Sequence, residues 1–520
     1  MTDRPWSDLS PSVYETGRLV SLAPWLTGHR ARIAYLLESQ RPDGGWGQSA
    51  DGYGLVPTLS AAEALLNTLL ADPAVASVAD QASVLLTVRR ALANLFAVLR
   101  PGAVLPIPDT PAIEIIVASL VSALNNALDR LPHSAVSGLD AWRGNGRLHL
   151  PSGVDDTVLT RMRSLLETGS ELPTKLLHAL EVAGSAADGA LGVRPTLPQG
   201  TVGASPAATA AWLGTKQPAD SGRAPVRYLE SVADEYGGPV PCAVPLDVFE
   251  RAQVIATFSR AGIPVKVSTT LRAGLTALLG PSGSPGGAGL PPDADTSSIL
   301  LFALSQLGAE PDLECLWPYE LSTHFCTWPG EDNPSPSANA HVLEILAAAD
   351  HPPTITANQV RRYGEAGAKL TSWLLEQQRD DGSWQDRWHA SPLYATQCCT
   401  LALARTGAPT AASAVGKAVS WVLATQRPDG SWGRWNSTAE ETAYALQILL
   451  LTGSQELTDT VAHAAARGHR FLQKSAKTGH EALWHDKDLY APQAIVEAAV
   501  LASTHLAETH PAVVRAAARL

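Results

Sequence analysis

Apolar residues recur along this chain at helical spacing. Ile33, Leu36 and Leu37 share one face of one segment, and Val419, Val422 and Leu423 share one face of another. Alternation with period two is scarce, and alanine and leucine abound, so the pattern predicts helices throughout and an all-α fold. The apolar run at 113–124 falls short of the roughly 18 residues a membrane span needs, and reads as a buried helix.

An internal repeat lies over this pattern. Gln40-Arg41-Pro42-Asp43-Gly44-Gly45-Trp46 recurs as Gln378-Arg379-Asp380-Asp381-Gly382-Ser383-Trp384 and as Gln426-Arg427-Pro428-Asp429-Gly430-Ser431-Trp432. The last two begin 48 residues apart (426 − 378), about the length of a helical-hairpin repeat. Asp-Gly supplies a tight reversal, and the Trp can pack back across it with its N–H and the Gln amide bonding over the turn. These are structural staples rather than catalytic groups. Gly-, Pro- and Ser-rich stretches at 282–292 and 328–336 read as loops, and 183–204 as a connection between two halves.

Composition narrows the class. A chain of 520 residues holds two to four domains at about 150 residues each. With 45% hydrophobic and 17% charged residues it is folded and globular. The net charge of −12 and the lack of a long basic cluster exclude a nucleic-acid partner. Five cysteines, at 242, 315, 326, 398 and 399, show no metal-type spacing. Their odd number and the absence of a signal-peptide core point to a reduced, cytoplasmic setting.

The candidate chemistry lies in Pro291-Pro292-Asp293-Ala294-Asp295-Thr296, at the head of the apolar run Ile299-Leu300-Leu301-Phe302-Ala303-Leu304. Asp before a helix is a common N-cap, and the helix dipole favours the anion by about 0.3–1 kcal/mol. Desolvation and a neighbouring carboxylate act the other way and can raise a pKa by several units. A carboxylic acid kept protonated against an apolar wall is equipped to protonate a carbon–carbon double bond.

Together these segments resemble the class II terpene cyclases of bacteria. The Gln-x-x-x-Gly-x-Trp repeats look like the QW motifs of these enzymes and of squalene–hopene cyclases. Ser10-Pro11-Ser12-Val13-Tyr14-Glu15-Thr16, Ser205-Pro206-Ala207-Ala208-Thr209-Ala210-Ala211-Trp212 and Pro245-Leu246-Asp247-Val248-Phe249-Glu250-Arg251 look like further family segments. So do Trp388-His389-Ala390-Ser391-Pro392-Leu393-Tyr394 and Trp484-His485-Asp486-Lys487-Asp488-Leu489-Tyr490. The family's acid pattern is Asp-x-Asp-Asp, and here Thr296 replaces the last Asp. That Asp-x-Asp-Thr form resembles cyclases that make drimenyl diphosphate from a C15 substrate.

The resemblance implies two α-barrel domains, β and γ, with the active site between them. It places the first helix of β at 1–24, the inserted γ barrel at 25–227 and the rest of β at 228–520. Asp295 becomes the general acid and Asp293 its neighbour, with the Thr296 hydroxyl free to bond Asp295. Asn339 is the family-like amide that would lie against Asp295, and His341 is either a core histidine or a group that orients the acid. Carbocations need electron-rich walls, for which Trp212, Trp317, Trp328, Trp388, Tyr394, Trp435 and Trp484 are the candidates.

The diphosphate-ionising motifs of class I synthases, Asp-Asp-x-x-Asp and Asn-x-x-x-Ser-x-x-x-Glu, are absent, so the diphosphate is expected to survive in the product. Lys487 and Arg434 are its expected anchors, and Mg²⁺ its counter-ion through Glu114 and Asp109. The expected reaction is bicyclisation of farnesyl diphosphate to drimenyl diphosphate. The alternative is geranylgeranyl diphosphate closed to a copalyl- or halimadienyl-type bicycle. A phosphatase or class I synthase would act next. Squalene cyclases, zinc prenyltransferases and a non-catalytic helical-barrel binding protein are the rival classes.

Overall fold

The structure, a computed structural model, describes residues 7–71, 81–131, 134, 136–144, 146–220, 222–310, 312–331, 333–348, 355–452, 457–475 and 480–520. The loop read at 328–336 therefore has one residue, 332, outside the described set. The N-terminal half carries α1 (Val13–Leu22), α2 (His29–Glu38), α3 (Leu55–Leu70), α4 (Gln81–Val98), α5 (Ile113–Arg130), α6 (Thr157–Glu167), α7 (Pro206–Leu213) and α8 (Ala224–Glu235). A kinked 3₁₀ segment, Thr174–Ala187, precedes α7. The C-terminal half carries α9 (Asp247–Arg260), α10 (Thr269–Ala277), α11 (Ala294–Gln306), α12 (Pro336–Ala348), α13 (Ala357–Gln377) and α14 (Pro392–Thr406). It continues with α15 (Pro409–Thr425), α16 (Ala439–Leu451), α17 (Asp459–Ser475), α18 (Gln493–Thr509) and α19 (Pro511–Ala517). The only paired strands among the described residues are two short antiparallel ribbons. One joins Ser284–Pro285 (β1) to Pro292–Asp293 (β2), and the other joins Trp484–His485 (β3) to Leu489–Tyr490 (β4).

A helix that is buried on all sides must lie inside a layer of others. Residues 294–304 of α11, 336–346 of α12, 393–403 of α14 and 440–449 of α16 are each buried without a break. With α9 and α18 they form a closed ring, in which α9 packs on α11, α11 on α12, α12 on α14, α14 on α16, α16 on α18 and α18 on α9. The amphipathic α13, α15 and α17 pack outside it. A second ring runs α1, α3, α5, the 174–187 segment and α7, and closes back on α1. The fold is thus all-α and of the helical-barrel kind.

The three repeat tryptophans, Trp46, Trp384 and Trp432, are fully buried. Each donates its indole N–H to a carbonyl ten residues upstream, on Leu36, Leu374 and Val422, at 2.7–2.8 Å. The paired glutamine amides donate across the turn to Gly44, Gly382 and Gly430 and to the next helix. Truncating one such Trp to Ala removes about 3–5 kcal/mol.

The N-terminal segment and α1 touch both halves. Residues 8–10 do join the C-terminal half, through Ser10 N–H to Ala491 O and Gln493 N–H to Asp8 O. Helix α1, however, closes the N-terminal ring. Its Val13, Tyr14 and Val20 side chains pack into the N-terminal apolar cluster. Gly17 lets α3 approach closely, since a Cβ there would meet Ser60 Oγ at 2.7 Å.

Candidate active site

A cavity of about 370 Å³ opens where the two rings meet. Glu114, Lys175 and His178 face it from the N-terminal half, and Asp293, Asp295 and Trp484 from the C-terminal half.

The acid pair enters at the head of α11. Ribbon β1–β2 carries Asp293 to the N-cap, where its Oδ1 accepts from Thr296 N–H at 2.6 Å. Gly283 makes that ribbon tight, because it has φ near +83° and a Cβ there would strike Ser297 Oγ at 2.0 Å. Asp295 follows in the first turn, and both carboxylates are buried yet line the cavity. Burial, with the Asp295 carboxylate close by, pushes Asp293 up to about 8, against the pull of Thr296. The Thr296 hydroxyl, expected to serve Asp295, serves Asp293 instead.

Asp295 Oδ1 lies 2.6 Å from His341 Nδ1, across the α11–α12 contact. Burial pulls His341 down, but Asp295 outweighs it and the imidazole rises to about 10. Its Nε2 meets Cys398 Sγ at 3.7 Å. A cationic histidine therefore backs the acid inside a dry wall. Asn339 does not reach Asp295. Its amide is spent on Phe325 N–H and C=O and on Ser335 C=O, at 2.7–2.9 Å, tying the 325 loop to α12.

Trp328, Trp388, Tyr394 and Trp484 line the cavity as expected. Tyr394 and Trp484 lie 4.7 Å apart, and Trp328 meets Trp388 edge-on at 5.5 Å. Phe249, which the sequence did not single out as a wall residue, adds an edge contact to Trp484 at 6.1 Å. Three expected wall residues lie elsewhere. Trp212 faces Arg223, Trp317 stacks on Tyr363 under Arg362, and Trp435 packs on Tyr53 with its N–H on Asp51.

The two expected diphosphate anchors are also committed elsewhere. Lys487 is fully buried, 2.9 Å from Glu15 and 3.0 Å from Glu181, and these carboxylates raise its pKa against the cost of burial. Arg434 is held by Asp51 at 2.7 Å and by Ala390 C=O. The Lys and Arg side chains that line the cavity are Lys175 and Arg387, on segments the motifs did not flag. Arg387 pairs with Glu331 and lies 3.5 Å from Asp109.

Glu114 lines the cavity, whereas Asp109 is exposed and accepts from Asn333 at 2.9 Å. Among the described residues no group of three or more His, Cys, Asp or Glu is placed to hold a metal ion. No helix of the described residues is long and apolar enough to cross a membrane, and the five cysteines are buried and unpaired.

Residues 331–511 match the family model of the squalene–hopene cyclase C-terminal domain. The chain is 40% identical over 509 residues to a copalyl diphosphate synthase of Streptomyces cyslabdanicus, covering 96% of this chain and 93% of that one. It is 39% identical to a labda-7,13-dienyl diphosphate synthase of Streptomyces clavuligerus, over 96% and 90% of the two chains. Among solved structures it is similar to the ent-copalyl diphosphate synthase from Streptomyces platensis, with a TM-score of 0.89 and 41% identity, covering 97% and 96%.

Proposed function

The chain belongs to the bacterial class II terpene cyclases related to copalyl diphosphate synthases, and from that premise we propose that it protonates a linear prenyl diphosphate and closes it to a bicyclic diphosphate. The observation that carries this reading is the buried Asp295–His341 pair, 2.6 Å apart, beside Asp293 at the wall of an apolar cavity.

Burial and the neighbouring Asp295 keep Asp293 protonated well above the usual carboxylate range, and in this reading Asp295 carries the proton that is transferred. With the proton on Asp295, transfer to the terminal double bond leaves a carboxylate that the His341 cation stabilises. The aromatic faces of Tyr394, Trp484 and Phe249 then attract the migrating positive charge, by about 0.5–2 kcal/mol per contact. The diphosphate rests at the other end, on Lys175 and Arg387, and stays attached. Glu114 and Asp109 are the carboxylates that would hold Mg²⁺, which would supply charge neutralisation at the phosphates.

The substrate in this reading is geranylgeranyl diphosphate and the product a copalyl-type bicycle, supported by near-full-length relatives that carry the copalyl name. A second reading, farnesyl diphosphate to drimenyl diphosphate, is favoured by Thr296 in place of a third carboxylate. The product, still a diphosphate, suits a following phosphatase or ionising synthase. Purified protein given both substrates in one tube, then phosphatase and mass spectrometry, decides between them. A clearly higher specificity constant for the C15 substrate overturns the C20 assignment, and no turnover of either overturns the cyclase reading.

A further inference from the structure

Cyclisation ends only when a C–H bond beside the final carbocation gives up its proton. By then the charge has moved through the new rings, away from the carbon that Asp295 protonated. A separate base is needed, and it must be an anion or lone pair inside the same cavity. Resting on the cyclase reading above, we propose that Asp486 is that base, receiving the proton on Oδ2.

Other lining groups suit the role less. Glu331 keeps Oε2 without a partner, but its Oε1 is tied to Arg387, which is placed at the diphosphate end, and Glu114 is exposed. His485 donates from Nδ1 to Arg387 C=O at 2.7 Å and accepts at Nε2 from Tyr53 O–H at 2.9 Å, so its lone pair is used. Burial drives its pKa down to about 3. Tyr394 and Tyr490 are buried phenols whose ionisation is pushed well up by burial, and neutral phenols are poor bases.

Asp486 differs on each count. It lies on the cavity wall two residues after Trp484 and is 6% exposed. Its Oδ1 accepts from Lys487 N–H at 2.6 Å and from His178 Nε2 at 2.8 Å. Its Oδ2 has no hydrogen-bond partner among the described residues. His178 also donates from Nδ1 to Gly203 C=O at 2.6 Å, so both ring nitrogens face acceptors and the ring is an imidazolium. Burial works against ionisation of Asp486, but His178 and Lys487 outweigh it and keep the carboxylate charged. One oxygen is thus fixed by two donors, while the other is left to the cavity.

The step balances. The C–H electron pair becomes the new C=C bond and the proton passes to Asp486 Oδ2. Asp486 then loses a proton to water and the acid pair regains one, so the net reaction is an isomerisation.

The test compares Asp486→Asn with Asp295→Asn in the full chain, with C15 and C20 diphosphates as probes. Asp295→Asn consuming no substrate tests the acid, and Asp486→Asn tests the base independently. Asp486→Asn is expected to consume substrate still, while the wild-type alkene falls about 10²-fold relative to water-captured alcohol or alkene isomers. The same alkene as sole product overturns the proposal, as does a folded Asp486→Asn protein that consumes nothing. If Asp486→Asn does not fold, Asp486→Glu decides, since it keeps the ion pair but moves the oxygen by one methylene. An altered alkene ratio supports the base, and an unchanged ratio overturns it.

Discussion

Replacing His341 with Phe keeps a planar ring of similar size and removes both nitrogens. Asp295 then loses its 2.6 Å partner inside a buried wall. A hydrogen bond to a charged group has a net worth of about 1.5–3 kcal/mol. The loss falls mainly on the transition state, where Asp295 becomes an anion, because the protonated ground state needs the cation less. At 1.36 kcal/mol per decade this lowers kcat roughly 10- to 160-fold. KM should hold, since His341 does not line the cavity and touches no diphosphate anchor. Initial rates from dephosphorylated product, measured across substrate concentration, read both effects. A kcat within about threefold of wild type, or a loss carried wholly by KM, refutes the role assigned to the pair.

Asn339→Ala strands the backbone groups of Phe325, at about 1–3 kcal/mol per buried group, so Tm falls while kcat of the folded fraction stays within a few-fold. A collapse of kcat at unchanged Tm would return Asn339 to the acid. Lys487→Met leaves Glu15 and Glu181 uncompensated and costs about 3–5 kcal/mol in denaturant unfolding, whereas Lys175→Ala raises KM with kcat retained; the reverse pattern would restore Lys487 as the phosphate anchor. Asp293 rises from an ordinary 3.8 to about 8 and His341 from 6.5 to about 10. The folded state thus favours the protonated form of each, and their contributions to stability fade between about pH 4 and 8 and between about 6.5 and 10 respectively. Activity and Tm should both decline on the alkaline side, and a Tm that climbs from pH 6 to 9 contradicts this.

Helical period and the three Trp turns were legible in the sequence because each depends on residues close together in the chain. The acid pair was legible for the same reason, and Asp293 turned out to be both an N-cap and half of the acid. What escaped was angular and long-range. Asn339 and His341 stand two positions apart on α12, about 200° around the helix, and only packing against α11 selects which one meets Asp295. Motif membership singled out Lys487, but its position among Glu15, Glu181 and Ser205 comes from an N-terminal half hundreds of residues away. Lys175 carries no motif and faces the cavity only because the two rings meet there.

Turnover in D₂O tests the central claim most directly. Proton-initiated cyclisation by Asp295 requires one solvent deuterium per product molecule, at the carbon of the former terminal double bond, with both phosphates still attached and no product from Asp295→Asn. Pyrophosphate released in step with turnover, in a product that carries no deuterium, would contradict it.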